Sequence, residues 1–172
     1  QIIGVEADPV AAEAARRALD DVYVGDIETL ELPHEVASLD AVVLADILEH
    51  LRDPWALLRR LTPLLAPEGR LIASLPNIRH WSVLGGLLEG EWTYLPAGIL
   101  DHGHLRCFTR KSGQALIESA GLTVMLIEPI RSAGLPDLAS LVEVCRRLSL
   151  NASTLADEAS VTQYLYVAAA GR

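Results

Sequence analysis

The sequence of 172 residues lacks three features that would each define a class of protein. It has two cysteines, Cys107 and Cys145, which are too few and too isolated for a disulfide framework or a CxxC metal site. No apolar run approaches the ~20 residues that a membrane-spanning helix needs. The first residues carry neither the basic stretch nor the cleavage site of a signal peptide. We therefore expect a cytoplasmic protein without disulfides or a membrane anchor.

Basic residues are also scarce, with 14 Lys+Arg against 23 Asp+Glu and a formal net charge of −9. A surface of this charge repels phosphate groups, and no cluster of Lys and Arg reverses it locally. We expect neither nucleic acid nor an anionic membrane as a partner, whereas a small neutral or cationic ligand fits the charge. The amphipathic stretch 138–148 can pack on the sheet or against a second subunit, so the sequence does not exclude a homodimer.

Hydrophobic residues make up 51% of the chain, which is enough for a folded core. Short apolar runs alternate with segments that begin like helices, and Asp8-Pro9 and Asp53-Pro54 each combine an N-cap with a proline at the first helical position. The predicted strands are 1–6, 22–24, 39–45, 70–75, 122–127 and 163–169, and the predicted helices are 9–19, 54–65, 80–88, 110–120 and 138–148. This order predicts one α/β domain over residues 1–172, with a mostly parallel sheet and helices on both faces.

Acidic residues stand at the carboxyl ends of the first two strands, where open α/β sheets bind their ligands. Glu6 can accept hydrogen bonds from the two hydroxyls of a ribose. Asp26 can accept from an exocyclic amine while the amide of Ile27 donates to a ring nitrogen. Taken alone, Glu6 is better explained by a solvated acid beside a helix N-terminus, and Asp26 is only weakly distinguished from an ordinary turn residue. Together they favour an adenosine site.

A third group of polar residues, with Asp46, Glu49 and His50, lies in the segment LDAVVLADILEHLRDPWALLRRLTPLLAPEGRLIASLPN. This segment resembles the middle of a class I S-adenosylmethionine-dependent methyltransferase. The later segment GILDHGHLRCFTRKSGQALIESAGL resembles a variant in bacterial methyltransferases linked to polysaccharide and O-antigen assembly. The resemblance spans roughly residues 1–130. It implies a Rossmann-like fold and methyl transfer from S-adenosylmethionine to a small-molecule acceptor such as a sugar hydroxyl.

The resemblance also implies a set of cofactor-binding residues drawn from three strand ends. Its members are Glu6, Ala7, Asp26, Ile27, Ala45 and Asp46. The first two would contact the ribose and the adenine, and the next two would recognise the adenine edge. The last two, through the carbonyl of Ala45 and the nearby carboxylate, would face the methionine end.

The residues expected on the acceptor side are Glu49, His50 and His104. A hydroxyl acceptor gains from proton removal, and histidine titrates near neutrality. His50 is the first candidate base and His104 the second. An equally weighted interpretation is that His50 only fixes its loop through a backbone hydrogen bond. For His104, an anchoring role in the irregular segment ranks above catalysis.

We expect this chemistry to need no metal ion, because acids at such strand ends are common without one. A lower-ranked alternative places a divalent ion on Asp46, Glu49 and His50 together with His102 or His104, where the ion would orient a diol.

The irregular segment 89–108 is the candidate acceptor lid. It carries Trp92 and Tyr94, whose aromatic faces suit a sugar or another flat, partly apolar ligand.

One departure from the resemblance is large, because the sequence has no glycine-rich loop of the GxGxG type. The chain begins where the second strand of the family is expected, so the central first strand is missing. We expect two sheet fragments with unpaired inner edges, and a segment before Gln1 that was removed or not seen. A nicotinamide-dependent oxidoreductase and a non-catalytic binding domain are the alternatives, although the oxidoreductase also lacks its glycine fingerprint here.

Overall fold

The computed structural model describes residues 1–33, 35, 37–134 and 136–170. Its strands are β1 (Ile3–Glu6), β2 (Asp21–Val24), β3 (Leu39–Leu44), β4 (Leu65–Pro76), β5 (Leu122–Arg131) and β6 (Val161–Ala170). Its α-helices are α1 (Pro9–Ala15), α2 (Pro54–Leu61), α3 (Trp81–Glu89), α4 (Arg110–Glu118), α5 (Ala139–Arg147) and α6 (Leu155–Glu158), and 3-10 turns occur at Leu48–His50 and Thr62–Leu64. Within these residues, no helix has both the length and the apolar composition needed to cross a bilayer.

The strands form two sheets rather than one. Strands β1 and β2 pair in parallel, and the second sheet has the order β3-β4-β6-β5. In that sheet β3 is parallel to β4, and β6 runs antiparallel to both of its neighbours. Among the described residues no strand lies between β1 and β3, so each of them has an edge without a strand partner. This confirms the predicted α/β fold.

Most predicted elements occur near their expected positions, but β4 begins earlier than predicted. It starts at Leu65, which pairs with Leu39, and the register then shifts so that Ala41 pairs with Arg70. This bulge absorbs the additional residues of β4. Gly69 allows it, because a Cβ at this position would lie 2.7 Å from the carbonyl oxygen of Leu39. The short helix α6 is not predicted from the sequence.

The main core lies on the four-stranded sheet, and α4 packs closely against it. The hydroxyl of Tyr166 on β6 donates a hydrogen bond to the carbonyl of Arg110 at 2.9 Å. Gly113 of α4 faces the same ring, where a Cβ would lie 2.5 Å from the Tyr166 hydroxyl oxygen and 3.0 Å from Leu75. The helix therefore reaches the sheet only because position 113 has no side chain.

Arg60 of α2 connects the small sheet to the large one. Its guanidinium donates to the carbonyls of Ile27 at 3.2 Å, Glu28 at 2.6 Å and Leu30 at 2.5 Å, all in the loop after β2. The carboxylate of Glu28 also accepts a hydrogen bond from the amide of Asp53 at 2.8 Å, just before α2. We call these contacts the Arg60 bridge, and they fix the end of β2 against α2.

We predict that Gly113→Ala lowers the free energy of unfolding by about 1–3 kcal/mol, because the added methyl group overpacks a buried contact. The control is Gly85→Ala in α3, where a Cβ meets its nearest atom, on Trp81, at 3.4 Å. That variant should leave stability unchanged or raise it by up to about 1 kcal/mol through helix propensity. Denaturant titration of both variants makes the comparison. Equal stabilities would contradict the close packing of α4 on β6.

We also predict that Arg60→Ala destabilises the attachment of β1 and β2, with a loss of about 1–2 kcal/mol for charged hydrogen bonds near the surface. Amide hydrogen exchange in residues 3–30 should accelerate, while exchange in β4 and β6 should change little. Arg59→Ala is the matched control, since Arg59 is exposed in the same turn of α2. Identical exchange in the two variants would show that the Arg60 bridge does not hold the small sheet.

Candidate functional site

The ends of β1 and β2 bring Glu6 and Asp26 to the same edge. The amide of Gly25 donates to the carbonyl of Glu6 at 2.9 Å, which ties the two strand ends together. One carboxylate oxygen of Glu6 accepts from the amide of Asp8 at 2.9 Å, and Asp8 in turn caps α1. Asp26 is exposed and accepts from the amide of Glu28 at 2.9 Å. Both carboxylates keep acceptor capacity for a ligand.

Asp46 follows β3 in a backbone conformation that is unusual for its residue type. Its φ is 52°, in the left-handed region, where a non-glycine residue costs about 1–3 kcal/mol unless its surroundings hold it. The amide of Asp46 donates to Ser74 Oγ at 2.9 Å, and Ser74 Oγ donates to Asp46 Oδ1 at 2.9 Å. The side-chain amide of Gln163 donates to the same carboxylate oxygen. Asp46 and the exposed Ala45 are thus fixed at the edge of the large sheet.

Ser74 and Gln163 hold Asp46 in place, and neither is predicted from the sequence. A polar residue inside an apolar strand, such as Ser74, is only a weak indication of a functional site. Gln163 gives no such indication, because it reaches Asp46 from β6, 117 positions further along the chain.

Glu49 is a buried carboxylate in the 3-10 turn that follows. Its exposed fraction is 1%, and neither carboxylate oxygen has a hydrogen-bond partner among the described residues. Burial raises the pKa of Glu49 to about 7, and the charge of Asp46 adds to the rise. The backbone carbonyl of Glu49 accepts from the amides of Leu105 and Arg106 at 2.8 and 3.0 Å, which joins this turn to the segment after His104.

His50 and His104 complete a cluster around this carboxylate. The Nε2 atom of His104 lies 4.0 Å from Glu49 Oε1, and the two imidazole rings meet edge to face at 4.7 Å between centroids. One ligand-type atom from each of the three residues lies within 4.8 Å of the others. We call these three residues the Glu49 cluster. The structure therefore brings together the three residues predicted for the acceptor side, while His102 is exposed and lies outside the cluster.

Each histidine of the cluster is oriented by a backbone carbonyl. His50 Nδ1 lies 3.0 Å from the carbonyl of Gly103, and His104 Nδ1 lies 3.0 Å from the carbonyl of Ile99. A carbonyl can only accept, so both Nδ1 atoms carry the proton, and the neutral rings keep a lone pair on Nε2.

The segment 89–108 forms one wall of a pocket of about 350 Å³, with α3 on the other side. Ile99 lines this pocket, and its carbonyl is the partner of His104. Ile99 thus links the pocket to the Glu49 cluster, although none of the three cluster residues lines the pocket. Trp92 and Tyr94 contact each other with ring centroids 6.3 Å apart and are exposed, so in the described structure they stand apart from the pocket lining.

Comparison with known proteins adds information on the family. Residues 1–73 match the family model of the methyltransferase domain. A stretch of 82 residues is 33% identical to an uncharacterised 37.1 kDa protein of transposon TN4556 from Streptomyces fradiae, and covers 45% of this chain and 23% of that protein. This chain therefore spans less than a quarter of the length of that relative.

Solved structures show the same fold. An S-adenosylmethionine-dependent methyltransferase from Thermotoga maritima aligns with a TM-score of 0.63 at 16% identity, over 98% of this chain and 72% of that one. The [4+2]-cyclase SpnF aligns with a TM-score of 0.63 at 18% identity, over 99% of this chain and 66% of that one. At such low identity these neighbours show the fold alone.

Residues 1–73 thus match a methyltransferase domain, and the chain shares its fold with solved S-adenosylmethionine-dependent methyltransferases. The link to polysaccharide assembly and the sugar acceptor stay predictions.

The raised pKa of Glu49 should make the free energy of unfolding depend measurably on pH. This pKa is about 7 in the folded chain, against an ordinary value of 4.5, so ionisation of Glu49 opposes folding. In chelator-treated protein, stability should fall relative to Glu49→Gln as pH rises from about 4.5 to about 7, by up to about 3 kcal/mol, and the difference should then stay constant. Denaturant titration across this range measures it. Glu89→Gln controls for the loss of one negative charge, and a pH-independent difference for Glu49→Gln would contradict the raised pKa.

Proposed function

We propose that this protein transfers a methyl group from S-adenosylmethionine to a hydroxyl of a small, sugar-like acceptor. The observation that carries the proposal is the position of the Glu49 cluster, which follows Asp46 directly at an edge of the sheet in a methyltransferase-like fold. Strand-end carboxylates suited to a nucleoside and a proton-accepting cluster thus occur in one chain.

The cofactor would lie across the strand ends of both sheets. Glu6 and Asp26 offer carboxylate oxygens for ribose hydroxyls and for the adenine amine, with Ala7 and Ile27 beside them. The exposed Ala45 and the fixed Asp46 would face the methionine end. These assignments follow the resemblance, and the hydrogen bond between Gly25 and Glu6 supports them because it draws the first two strand ends together.

When bound, S-adenosylmethionine supplies an electrophilic methyl group on a sulfonium centre. An acceptor oxygen attacks the methyl carbon, the carbon–sulfur bond breaks, and the hydroxyl proton must leave. His50 is the first candidate to take this proton, because its Nδ1–H is committed to the Gly103 carbonyl and its Nε2 is free to accept. His104 is the second candidate, since its Nε2 faces Glu49. Most of the acceleration would come from holding the two reactants in line.

The acceptor would enter beside the segment 89–108, which serves as its lid in this proposal. The pocket between this segment and α3 is linked to the Glu49 cluster through Ile99. A volume of about 350 Å³ is within the range of small-molecule sites. The acceptor class itself rests on the resemblance of residues 98–122. We also keep three predictions from the sequence, namely a role in polysaccharide assembly, a cytoplasmic location and a homodimer.

Two alternatives remain distinguishable by ligand binding. The methyltransferase-domain match favours methyl transfer over a nicotinamide-dependent oxidoreductase. A domain without transferase activity is the other alternative, since the [4+2]-cyclase SpnF has the same fold.

We predict that Glu6→Ala weakens S-adenosylhomocysteine binding about tenfold or more, the scale of about 1.5 kcal/mol for a charged hydrogen bond. Calorimetric titration of the full chain with this ligand, and separately with NAD, provides the test. Glu13→Ala is the control, because Glu13 is an exposed acid on α1 that pairs with Arg16 at 2.8 Å. Preference for NAD would overturn methyl transfer, and equal affinities of the two variants would overturn the role of Glu6.

A further inference from the structure

The proposed proton transfer does not explain why the Glu49 carboxylate is buried without a described hydrogen-bond partner. A buried carboxylate without a hydrogen-bond partner is costly, and such groups in native proteins call for a specific explanation. Glu49 is 1% exposed, and both of its oxygens lack a partner among the described residues. The group that satisfies this carboxylate must therefore come from outside the described part of the chain.

The spacing between Glu49 and His104 indicates what that group is. Glu49 Oε1 lies 4.0 Å from Nε2 of His104. In the neutral ring the Nδ1 proton is donated to the carbonyl of Ile99, so Nε2 presents a lone pair to the carboxylate. Two acceptors face each other at a distance too long for a direct hydrogen bond. Two ligand atoms of a tetrahedral ion with bonds of about 2.0–2.2 Å lie about 3.3–3.6 Å apart, so a shift of about 0.5 Å would let this pair share an ion.

His50 supplies the third donor. Its Nδ1 is likewise committed to a backbone carbonyl, that of Gly103, which is how metal-binding histidines are commonly oriented. The loop is built for this contact, since a Cβ at Gly103 would lie 3.0 Å from His50 Nδ1. Asp101 Oδ1 holds the amide of Gly103 at 2.7 Å and fixes the turn. Three ligand-type atoms thus converge within 4.8 Å.

We propose that Glu49, His50 and His104 form a binding site for one divalent transition-metal ion. Two imidazoles and one carboxylate favour Zn²⁺, Mn²⁺ or Co²⁺ over Mg²⁺, which prefers oxygen ligands. Asp46 lies outside the group of converging ligand atoms, and its Oδ1 accepts from Ser74 and Gln163. The sequence alone favours a metal-free site, whereas the geometry of the Glu49 cluster favours a metal site.

Three protein ligands leave coordination positions open for the acceptor. An ion here would bind two neighbouring hydroxyl oxygens and lower the pKa of one of them, so the acceptor class narrows to a diol. In that case His50 acts as a ligand, and the ion takes over the activation assigned above to a base. This consequence for the acceptor rests on the proposed methyl transfer, whereas metal binding itself does not.

The test is titration of chelator-treated full chain with Zn²⁺ in a calorimeter, and with Co²⁺ followed by visible absorption. We expect one ion per chain and a Co²⁺ spectrum with d–d bands from nitrogen and oxygen ligands. Glu49→Gln and His104→Gln should each weaken Zn²⁺ binding at least a hundredfold. His102→Ala, which removes an exposed imidazole from the same loop, should bind Zn²⁺ like the unaltered chain.

Several results would overturn the metal site. These are the absence of stoichiometric binding, full affinity in Glu49→Gln, an equal loss in His102→Ala, or binding of Mg²⁺ in preference to Zn²⁺. Thermal unfolding in the presence of chelator shows whether Glu49 is a metal ligand or a structural residue. If Glu49 is a ligand, Glu49→Gln should be at least as stable as the unaltered chain under this condition. No cofactor or acceptor is present in these titrations, so their failure leaves methyl transfer standing, and failure of S-adenosylhomocysteine binding leaves the metal site standing.

Discussion

The hydrogen bonds of Arg60 determine how the two halves of the molecule are placed. No described strand joins the two sheets, so the backbone ladder that normally sets such a position is interrupted between β1 and β3. Arg60 replaces it by binding three carbonyls after β2, and the contact between Glu28 and Asp53 reinforces it. Ile27 packs against the main core from the same loop. These contacts together hold the loop after β2 against α2 and the main core.

Local signals predicted most of the fold. The N-caps of α1 and α2 occur at Asp8 and Asp53 as their sequence indicated, because a cap and the proline after it act within one turn. The break in the sheet was also predicted, because the resemblance implies a central first strand that this sequence lacks. The extended start of β4 was not predictable, because it depends on pairing with Leu39 across a bulge.

The sequence predicted Glu49, His50 and His104 on the acceptor side, and the structure places these three side chains close together. Only the lower-ranked metal alternative left the choice between His102 and His104 open. The choice depends on the carbonyl of Ile99, which orients one ring and not the other. Nor could the sequence show that Glu49 is buried without a partner, because burial arises from contacts among distant segments. That burial is the observation from which the proposed metal site is argued.

The unpaired edges of β1 and β3 have a thermodynamic consequence for any ligand that lies across both sheets. Such a ligand touches two units that share no backbone hydrogen bonds in the described structure, so its contacts also hold the units in their relative orientation. Part of its intrinsic binding energy is therefore spent on ordering the protein, and the measured affinity is lower by that amount. By the same linkage, the ligand adds to the stability of the whole fold when it is present in excess. Ligand recognition and folding are thus coupled equilibria in this molecule.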